Sequence, residues 1–336
     1  MCPDEGGKMT IEDLENFWEI DSQSAFEALA LKTFYFQYEN NDVYRSFCDL
    51  INCHPAEVTA VNDIPHLPIS FFKSKKVCCF QVTDAPFFSS STTKGGTPSK
   101  HYYRQLEDYQ MSFRKGFEYF FGTIEDYTVL ALLPSYMERE DSSLIYMADD
   151  MIRNSQQPES GFYLNQWEAL KEKLHQLEEK GQKTLLLGVS FALLDLVEQY
   201  FFDLQHTWIM ETGGMKGRRK ELTREALHEQ LKKGFGVPKI HSEYGMTELL
   251  SQAYSKGEGI FECPPWMRVA ARENQDPFSQ LPWGQSGGLN IIDLANRDSC
   301  AFIASEDLAK VHSHSRFEVM GRLDASEIRG CNLMVV

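Results

Sequence analysis

The chain has 336 residues, of which 33 are basic and 49 are acidic, so its formal net charge at pH 7 is −16. This length allows one large or two smaller domains, and the negative charge opposes general binding to nucleic acid or to anionic membrane surfaces. No run approaches the roughly 20 apolar residues of a membrane span, and the N-terminus lacks the pattern of a signal peptide. We therefore expect a cytoplasmic protein without a nucleic-acid partner.

Eight cysteines are scattered along the chain, with no Cys-x-x-Cys pair and no zinc-type spacing to histidine. In a large cytoplasmic chain most such cysteines are small buried side chains that stay reduced. We expect neither a disulfide framework nor a metal cluster.

In chain order, the sequence predicts a helical lead-in and then alternating strands and helices. Apolar side chains recur at helical spacing from residue 10 to about residue 53, and Pro55, Pro65 and Pro68 interrupt that pattern. The segments that follow are strands predicted over 128–133, 184–189, 207–210 and 239–243, and helices predicted over 102–121, 163–180, 191–203 and 222–233. This alternation predicts a layered α/β fold with a mainly parallel sheet.

After Pro264 and Pro265 the pattern changes to short strands, predicted over 288–294, 300–304 and 316–320. We therefore expect two units. Residues 1–262 would form the helical lead-in and an α/β nucleotide-binding core, and residues 263–336 a small β-rich subdomain.

Two segments carry groups that suit a nucleoside triphosphate. The first, residues 244–248, reads Tyr-Gly-Met-Thr-Glu and combines a ring, a glycine, a hydroxyl and a carboxylate. The second, residues 89–100, is rich in Ser, Thr and Gly and ends in Pro-Ser-Lys. Taken singly, the first is also compatible with a glycine turn before a capped helix, and the second with a solvated loop. Together they indicate ATP.

With Gly-Arg-Leu-Asp at residues 321–324, these segments resemble in kind and order the signature elements of the adenylate-forming superfamily, which includes the acyl-CoA ligases. Within it the chain is similar, from roughly residue 10 onward, to the acyl-protein synthetases of bacterial luminescence systems, most clearly in residues 132–139, 142–147 and 327–333. The resemblance implies the N-terminal domain fold of that superfamily. Typical CoA ligases continue into a mobile domain of about a hundred residues, and we expect no such lid domain after residue 329 of this sequence.

The resemblance assigns the Ser/Thr/Gly loop to the phosphates. The residues that would close over the β- and γ-phosphates of ATP are Ser90, Ser91, Thr92, Thr93 and Gly95. Lys100 would add a positive charge there. The loop departs from the usual Ser-Gly-Thr-Thr-Gly core, because residues 91–96 read Ser-Thr-Thr-Lys-Gly-Gly.

In the Tyr-Gly-Met-Thr-Glu motif, the resemblance implies that Tyr244 stacks on adenine beside Gly245 and that Thr247 bonds the α-phosphate. Glu248 would hold Mg²⁺, a hard cation that prefers carboxylate and phosphate oxygens.

Four further positions match nucleotide contacts of the superfamily. Gly213 and Gly214 correspond to backbone that passes beside adenine, although a plain turn explains this pair equally well. Asp307 would accept hydrogen bonds from the ribose hydroxyls, and Arg322 would reach the ribose or a phosphate. A solvated turn carboxylate and a surface arginine are the alternatives.

His101 and His241 stand near the two motifs. Most lone histidines are structural, so neither receives a catalytic role.

Cys331 resembles the cysteine near the C-terminus of the luminescence synthetases that takes the acyl group from the adenylate as a thioester. A thiolate is a suitable acceptor, since an acyl-adenylate is a strong electrophile and the thioester stays reactive. The alternative is that Cys331 packs as a small apolar residue.

The predicted function is therefore an ATP- and Mg²⁺-dependent acyl-protein synthetase. It would activate a carboxylic acid, by resemblance a fatty acid, as acyl-AMP and pass the acyl group through Cys331 to a partner, either a reductase-like subunit or a carrier protein. Two alternatives stay open: an acyl- or aryl-CoA ligase without its C-terminal domain, and a non-catalytic nucleotide-binding subunit.

Overall fold

The computed structural model describes residues 9–14, 16–91, 96–133, 141–213 and 222–323. The N-terminal part is helical, as the apolar spacing predicts. It comprises α1 (Gln23–Asn40) and α2 (Asp42–Leu50), preceded by short 3₁₀ turns. The side chain of Ser22 accepts a hydrogen bond from the Ala25 N–H at the start of α1, and Asn41 caps α2 in the same manner.

The remaining helices alternate with strands. They are α3 (Phe71–Ser74), α4 (Leu106–Phe121), α5 (Ser143–Asn154), α6 (Trp167–Glu179), α7 (Ser190–Gln199) and α8 (Arg224–Phe235). Four of these were predicted, with ends that differ by up to four residues. The short helix α3 and helix α5, which Ser142 caps, were not predicted. In the described part of the chain no helix combines the length and the apolar character needed to cross a membrane.

Fourteen strands are described. They are β1 (Leu67–Pro68), β2 (Phe87–Ser89), β3 (Lys100–Tyr102), β4 (Thr128–Leu132), β5 (Gly161–Phe162), β6 (Thr184–Gly188), β7 (Thr207–Glu211), β8 (His241–Tyr244), β9 (Ala253–Ser255), β10 (Ile260–Glu262), β11 (Met267–Arg272), β12 (Ser286–Asp293), β13 (Phe302–Ser313) and β14 (Arg316–Arg322).

Twelve of the described strands form one sheet, in the order β11-β12-β13-β14-β10-β9-β8-β7-β6-β4-β5 with β1 beside β13, while β2 and β3 form a separate hairpin. Strands β5, β4, β6, β7 and β8 are parallel, and every pairing from β8 through β9 to β11 is antiparallel. The predicted mainly parallel sheet is therefore correct for one half only. Helical crossovers produce the parallel half, and direct strand-to-strand connections produce the other half.

The β-rich part predicted after residue 262 continues the same sheet, because β10 pairs with β14. The proposed division into residues 1–262 and 263–336 stays a prediction.

The core lies around the parallel strands. Every residue of β4 and β6 is buried, as expected for strands that helices cover on both faces. Burying a leucine such as Leu186 contributes about 1.5–3 kcal/mol relative to leaving it exposed. The parallel strands β6, β7 and β8 end at Gly188, Glu211 and Tyr244. Their carboxyl ends meet at one edge of the sheet, which is where a ligand site is expected.

Candidate active site

Tyr244 stands at the carboxyl end of β8 and links three strands. Its hydroxyl donates a hydrogen bond to Asp307 Oδ2 on β13 at 2.7 Å. Its ring, in a residue only 9% exposed, contacts Phe261 and Phe317 at centroid distances of 5.7 and 5.2 Å. Burial raises the pKa of Tyr244 well above its ordinary value, so the hydroxyl remains a donor.

Asp307 and Arg322 face each other directly across the β13–β14 pair. Arg322 Nε lies 3.5 Å from Asp307 Oδ1, and the arginine side chain is 74% exposed. Burial raises the pKa of Asp307, while the charge of Arg322 and the hydrogen bond from Tyr244 oppose that shift. The fold thus brings Tyr244 to Asp307 and Arg322, although Tyr244 lies 63 positions before Asp307 in the chain. Contacts of these three residues with a ribose stay predictions.

The described ends of the Ser/Thr/Gly loop are held together by β2 and β3. The Ser90 N–H donates to the Ser99 carbonyl at 3.0 Å, and the Ser99 N–H donates to Ser90 Oγ at 2.9 Å. The Lys100 ammonium lies 4.4 Å from the centre of the Phe87 ring, and Ser91 is exposed. Thr92, Thr93 and Gly95 lie outside the described residues, so the phosphate-binding role of the loop remains a prediction.

Glu248 lies in the turn after β8, and its side chain is buried. Burial raises the pKa of this carboxyl, and a hydrogen bond with the Ser99 side chain opposes the shift. Asn296 holds the turn in place, since its Nδ2 donates to the Glu248 carbonyl at 2.8 Å.

Among the described residues, no three His, Cys, Asp or Glu side chains form a metal-binding group. A single desolvated carboxylate suits Mg²⁺, which takes most of its ligands from phosphates and water. Glu248 therefore fits the predicted metal role, with the nucleotide supplying the remaining oxygens.

His101 joins the two motif segments, a function that the sequence analysis did not assign. Its Nδ1 lies 2.9 Å from the Thr247 carbonyl, and its Nε2 lies 2.7 Å from Ser299 Oγ. A carbonyl can only accept, so Nδ1 carries the proton and Nε2 accepts from the serine hydroxyl. Burial lowers the pKa of His101 to about 4, which keeps the ring neutral. The hairpin that carries Lys100 is thereby attached to the backbone of the Tyr-Gly-Met-Thr-Glu motif.

A contact within the protein itself explains why residue 245 is a glycine. A Cβ atom at this position would stand 2.4 Å from Glu243 Oε1, so the glutamate occupies the space that a side chain would need. Glu243 is itself buried, and burial followed by the charge of Glu211 raises its pKa to about 8. Close approach of the backbone to a nucleotide, which motivated the prediction for Gly245, stays untested.

Glu211 ends β7 and organises the backbone at Gly213. The Gly213 N–H and the Ser190 hydroxyl donate to Glu211 Oε2 at 2.7 and 2.9 Å, and Arg224 donates to Oε1 at 3.1 Å. Burial alone would raise the pKa of Glu211. A hydrogen bond with His228, the charge of Arg224 and the other donors outweigh burial and bring the pKa to about 2. Gly214 lies outside the described residues.

The side chains around Glu211 include a serine and a histidine, but they do not form a nucleophilic triad. His228 Nε2 lies 3.3 Å from Ser242 Oγ and 3.6 Å from Glu211 Oε1. A triad needs the serine and the carboxylate on opposite nitrogens of the ring. Here both contacts use the same nitrogen, so the cluster is a binding network for a carboxylate.

The six described cysteines are free thiols, at positions 48, 53, 78, 79, 263 and 300. Burial raises the pKa of each of them, for Cys48 to about 12. A thiol with a raised pKa is a poor nucleophile, so none of the six is activated for acyl transfer. Cys331 lies outside the described residues.

The fold is that of the adenylate-forming ligases. A crystal structure of 2-hydroxyisobutyryl-CoA ligase in complex with 2-HIB-AMP and CoA matches with a TM-score of 0.66 at 12% sequence identity, over 91% of this chain and 70% of the ligase. ATP-bound MatB from Rhodopseudomonas palustris matches with a TM-score of 0.52 at 15% identity, over 73% of this chain and 49% of that protein. At these identities the likeness concerns the fold.

Proteins with similar sequences indicate which adenylate-forming ligases this chain resembles. The family described as acyl-protein synthetase, LuxE, matches residues 12–112. Proteins named long-chain-fatty-acid–luciferin-component ligase, from Vibrio harveyi and from Aliivibrio fischeri, are each 23% identical, over 94% of this chain and 89% of the relative. The predicted resemblance to the acyl-protein synthetases is confirmed, and the names of these relatives are consistent with the predicted enzyme class of AMP-forming ligases.

Proposed function

We propose that this protein is an ATP-dependent acyl-protein synthetase that activates a long-chain carboxylic acid as acyl-AMP, receives the acyl group on Cys331 and passes it to a partner protein. The observation that carries the proposal is the gathering of Tyr244, Asp307 and Arg322 at the sheet edge where the Tyr-Gly-Met-Thr-Glu turn begins. The names of the curated relatives support the choice of a fatty acid.

The first step joins the acid to AMP. A carboxylate oxygen attacks the α-phosphorus of ATP, a new C(O)–O–P linkage forms, and the bond to the β-phosphate oxygen breaks so that pyrophosphate leaves with the electron pair. The protein contributes position and charge rather than covalent chemistry. Lys100 at the loop, Thr247 in the turn and Arg322 at the open end are the groups that we assign to the phosphates and ribose.

A bound Mg²⁺ would neutralise phosphate charge and make pyrophosphate a better leaving group. Glu248 would hold it. The carboxyl hydrogen-bonds with the Ser99 side chain, and Asn296 holds the backbone carbonyl of the same residue. The raised pKa that burial causes would fall when a cation takes the place of the proton.

The second step transfers the acyl group. The thiolate of Cys331 attacks the acyl carbon, the bond to the AMP oxygen breaks, AMP leaves, and the thiol proton has gone to solvent. The six described cysteines have raised pKa values, which leaves Cys331 as the better candidate. Free thiols throughout the described residues also suit a reducing, cytoplasmic location. A thiol of a reductase-like subunit or of a carrier protein would then attack the acyl carbon and form a new thioester, and the Cys331 thiolate would leave.

The test is intact-protein mass after incubation with ATP, Mg²⁺ and a panel of fatty and aryl acids, for wild type, Cys331→Ala and Cys53→Ala. Cys53, half-buried, is the matched control for loss of a thiol elsewhere. We expect an acyl adduct that hydroxylamine removes on wild type and Cys53→Ala, and none on Cys331→Ala.

Other outcomes identify the alternatives. Acid-dependent AMP release without an adduct, together with acyl-CoA when CoA is added, would favour a CoA ligase, the activity that the matched 2-hydroxyisobutyryl-CoA ligase carries in its name. ATP binding with no AMP formed from any acid would favour a nucleotide-binding subunit.

A further inference from the structure

Glu211 is built differently from an ordinary strand-end carboxylate. It is almost completely buried, and a buried charge of this kind persists only when donors replace its water. The backbone of Gly213, Ser190 at the start of α7 and Arg224 at the start of α8 donate to it. His228 on α8 and Ser242 on β8 also interact with the carboxylate.

The contacts converge on one residue, Gly213. Gly213 has φ of +71°, a conformation that a left-handed turn requires. Its N–H is bound by Glu211 at 2.7 Å, and its carbonyl accepts from the Ser190 N–H at 3.1 Å. The backbone at Gly213 is therefore held at its N–H by a carboxylate and at its carbonyl by the first residue of a helix.

The same carboxylate is also linked to the aromatic residues that pack against Tyr244. Arg224, paired with Glu211, lies over the Phe261 ring at 4.7 Å. Phe261 packs in turn against Tyr244. One ionised group thus sets the position of Gly213 and braces the aromatic residues beneath Tyr244.

We propose that Glu211 is the positioning residue of the adenine subsite: its ionised carboxylate holds the Gly213 peptide and the Arg224–Phe261 support in the arrangement that receives the base. The inference rests on the proposed function, since it assumes that an adenine nucleotide occupies this edge of the sheet. It concerns a group that acts through other residues and touches neither the acid nor the phosphates.

The chain contains a matched control at the other end of β7. Glu178 accepts hydrogen bonds from the Gln205 and His206 N–H groups and from the Thr207 hydroxyl, at 2.6–3.1 Å. Like Glu211 it accepts from backbone N–H groups and a hydroxyl, but it is only partly buried and its donors lie at the amino end of the strand, away from the candidate site. A general loss of β7 stability would follow from either substitution.

The test compares Glu211→Gln, Glu178→Gln and wild type by calorimetric binding of AMP and of inorganic tripolyphosphate at pH 7. Glutamine keeps the size of the side chain but loses the charge that strengthens its hydrogen bonds. We expect AMP affinity to fall about tenfold in Glu211→Gln, with tripolyphosphate affinity unchanged. In turnover, the KM for ATP should rise by a similar factor while the KM for the acid stays constant.

Ser190→Ala provides a second variant, because it removes one donor and leaves the carboxylate and Arg224 in place. We expect a loss of AMP affinity of about threefold, with no change for tripolyphosphate. This variant answers the question even when Glu211→Gln does not fold.

Three results would overturn the inference: wild-type AMP affinity in both Glu211→Gln and Ser190→Ala, an equal loss in Glu178→Gln, or an equal loss for tripolyphosphate. Failure of the proposed function gives a different result from these three, because the wild type itself then binds no AMP. In that case both proposals are wrong.

Discussion

The carboxyl ends of the neighbouring strands β7 and β8 each carry a buried glutamate, and the two are in opposite protonation states. At Glu211, the hydrogen bond with His228, the charge of Arg224 and the hydroxyl and backbone donors outweigh burial, and the pKa falls to about 2. For Glu243, burial and the neighbouring charge of Glu211 raise the pKa to about 8. Burial is the largest influence on both, so the partners decide the charge.

The two glutamates also differ in what they do for the structure around them. The ionised carboxylate on β7 organises polar backbone, since a charge in low dielectric attracts donors strongly. The neutral carboxyl of Glu243 on β8 has a packing role, because it occupies the space that a side chain at Gly245 would need. Two identical residue types, one strand apart, thus have an electrostatic role and a steric role.

The largest expected effect of this contrast is the contribution of Glu243 to the pH dependence of the free energy of unfolding. The native state keeps a proton up to about pH 8, whereas the unfolded chain releases it near 4.5, so wild-type stability falls as pH rises through that window. Glu243→Gln has no such proton. We expect the difference in free energy of unfolding between Glu243→Gln and wild type to grow by up to about 1.4 kcal/mol per pH unit, in favour of the variant, in urea titrations between pH 5 and 8.

Glu172→Gln, on the exposed face of α6, is the control, and its difference from wild type should stay constant across the same range. Parallel stability curves for Glu243→Gln and wild type would mean that Glu243 is ionised at neutral pH, and the contrast with Glu211 would disappear.

The steric role of Glu243 can be separated from its charge through Gly245. Gly245→Ala places a Cβ atom 2.4 Å from Glu243 Oε1, and overpacking of this kind costs about 1–3 kcal/mol. Removing the obstruction with Glu243→Ala should recover most of that cost in a double-mutant cycle.

Gly161→Ala is the matched control for this substitution, because no atom lies within 4 Å of the added Cβ. We expect a change below about 0.5 kcal/mol there. Additive effects at 243 and 245 would contradict the steric explanation.

The smallest effect concerns the hydrogen bond that joins β8 to β13. Tyr244→Phe removes the donor to Asp307 and leaves a buried carboxylate with less support, at a cost of about 1 kcal/mol. Tyr38→Phe is the control, since its hydroxyl donates to exposed Asp49 at the same distance of 2.7 Å. Chemical denaturation of the two variants should give a larger loss for Tyr244→Phe, and equal losses would show that burial adds nothing to the contact.

Periodicity was sufficient for much of the fold. The buried strands β4, β6 and β7 and the helices α4, α6, α7 and α8 lie where apolar spacing predicted them, because burial of one face imposes the pattern directly. Helix α5 and the short strands β9 and β10 were missed. These strands have three residues each, too few for a period to be recognised, and their positions depend on pairing with β8 and β14.

Some residues of the candidate site were likewise selected from the sequence, and others were recognised only in the structure. Order and residue type selected Tyr244, Glu248, Asp307 and Arg322 as candidates, and the fold brings Asp307 into contact with both Tyr244 and Arg322. Their roles stay predictions. Glu211, Glu243 and His101 were not assigned, since a single glutamate or histidine in a strand carries no local signal of its partners. A strand-end glutamate two residues before a glycine was the signal available for Glu211.

The sequence by itself determined the α/β class, the family resemblance and the residue types that suit ATP, because spacing along the chain and motif order are local properties. Only the tertiary structure decided which carboxyl is charged, which glycine is required by a neighbour and which histidine bridges the two motifs. The physical reason is that a pKa and a steric limit depend on burial and on donors from distant parts of the chain, and folding alone brings those parts together.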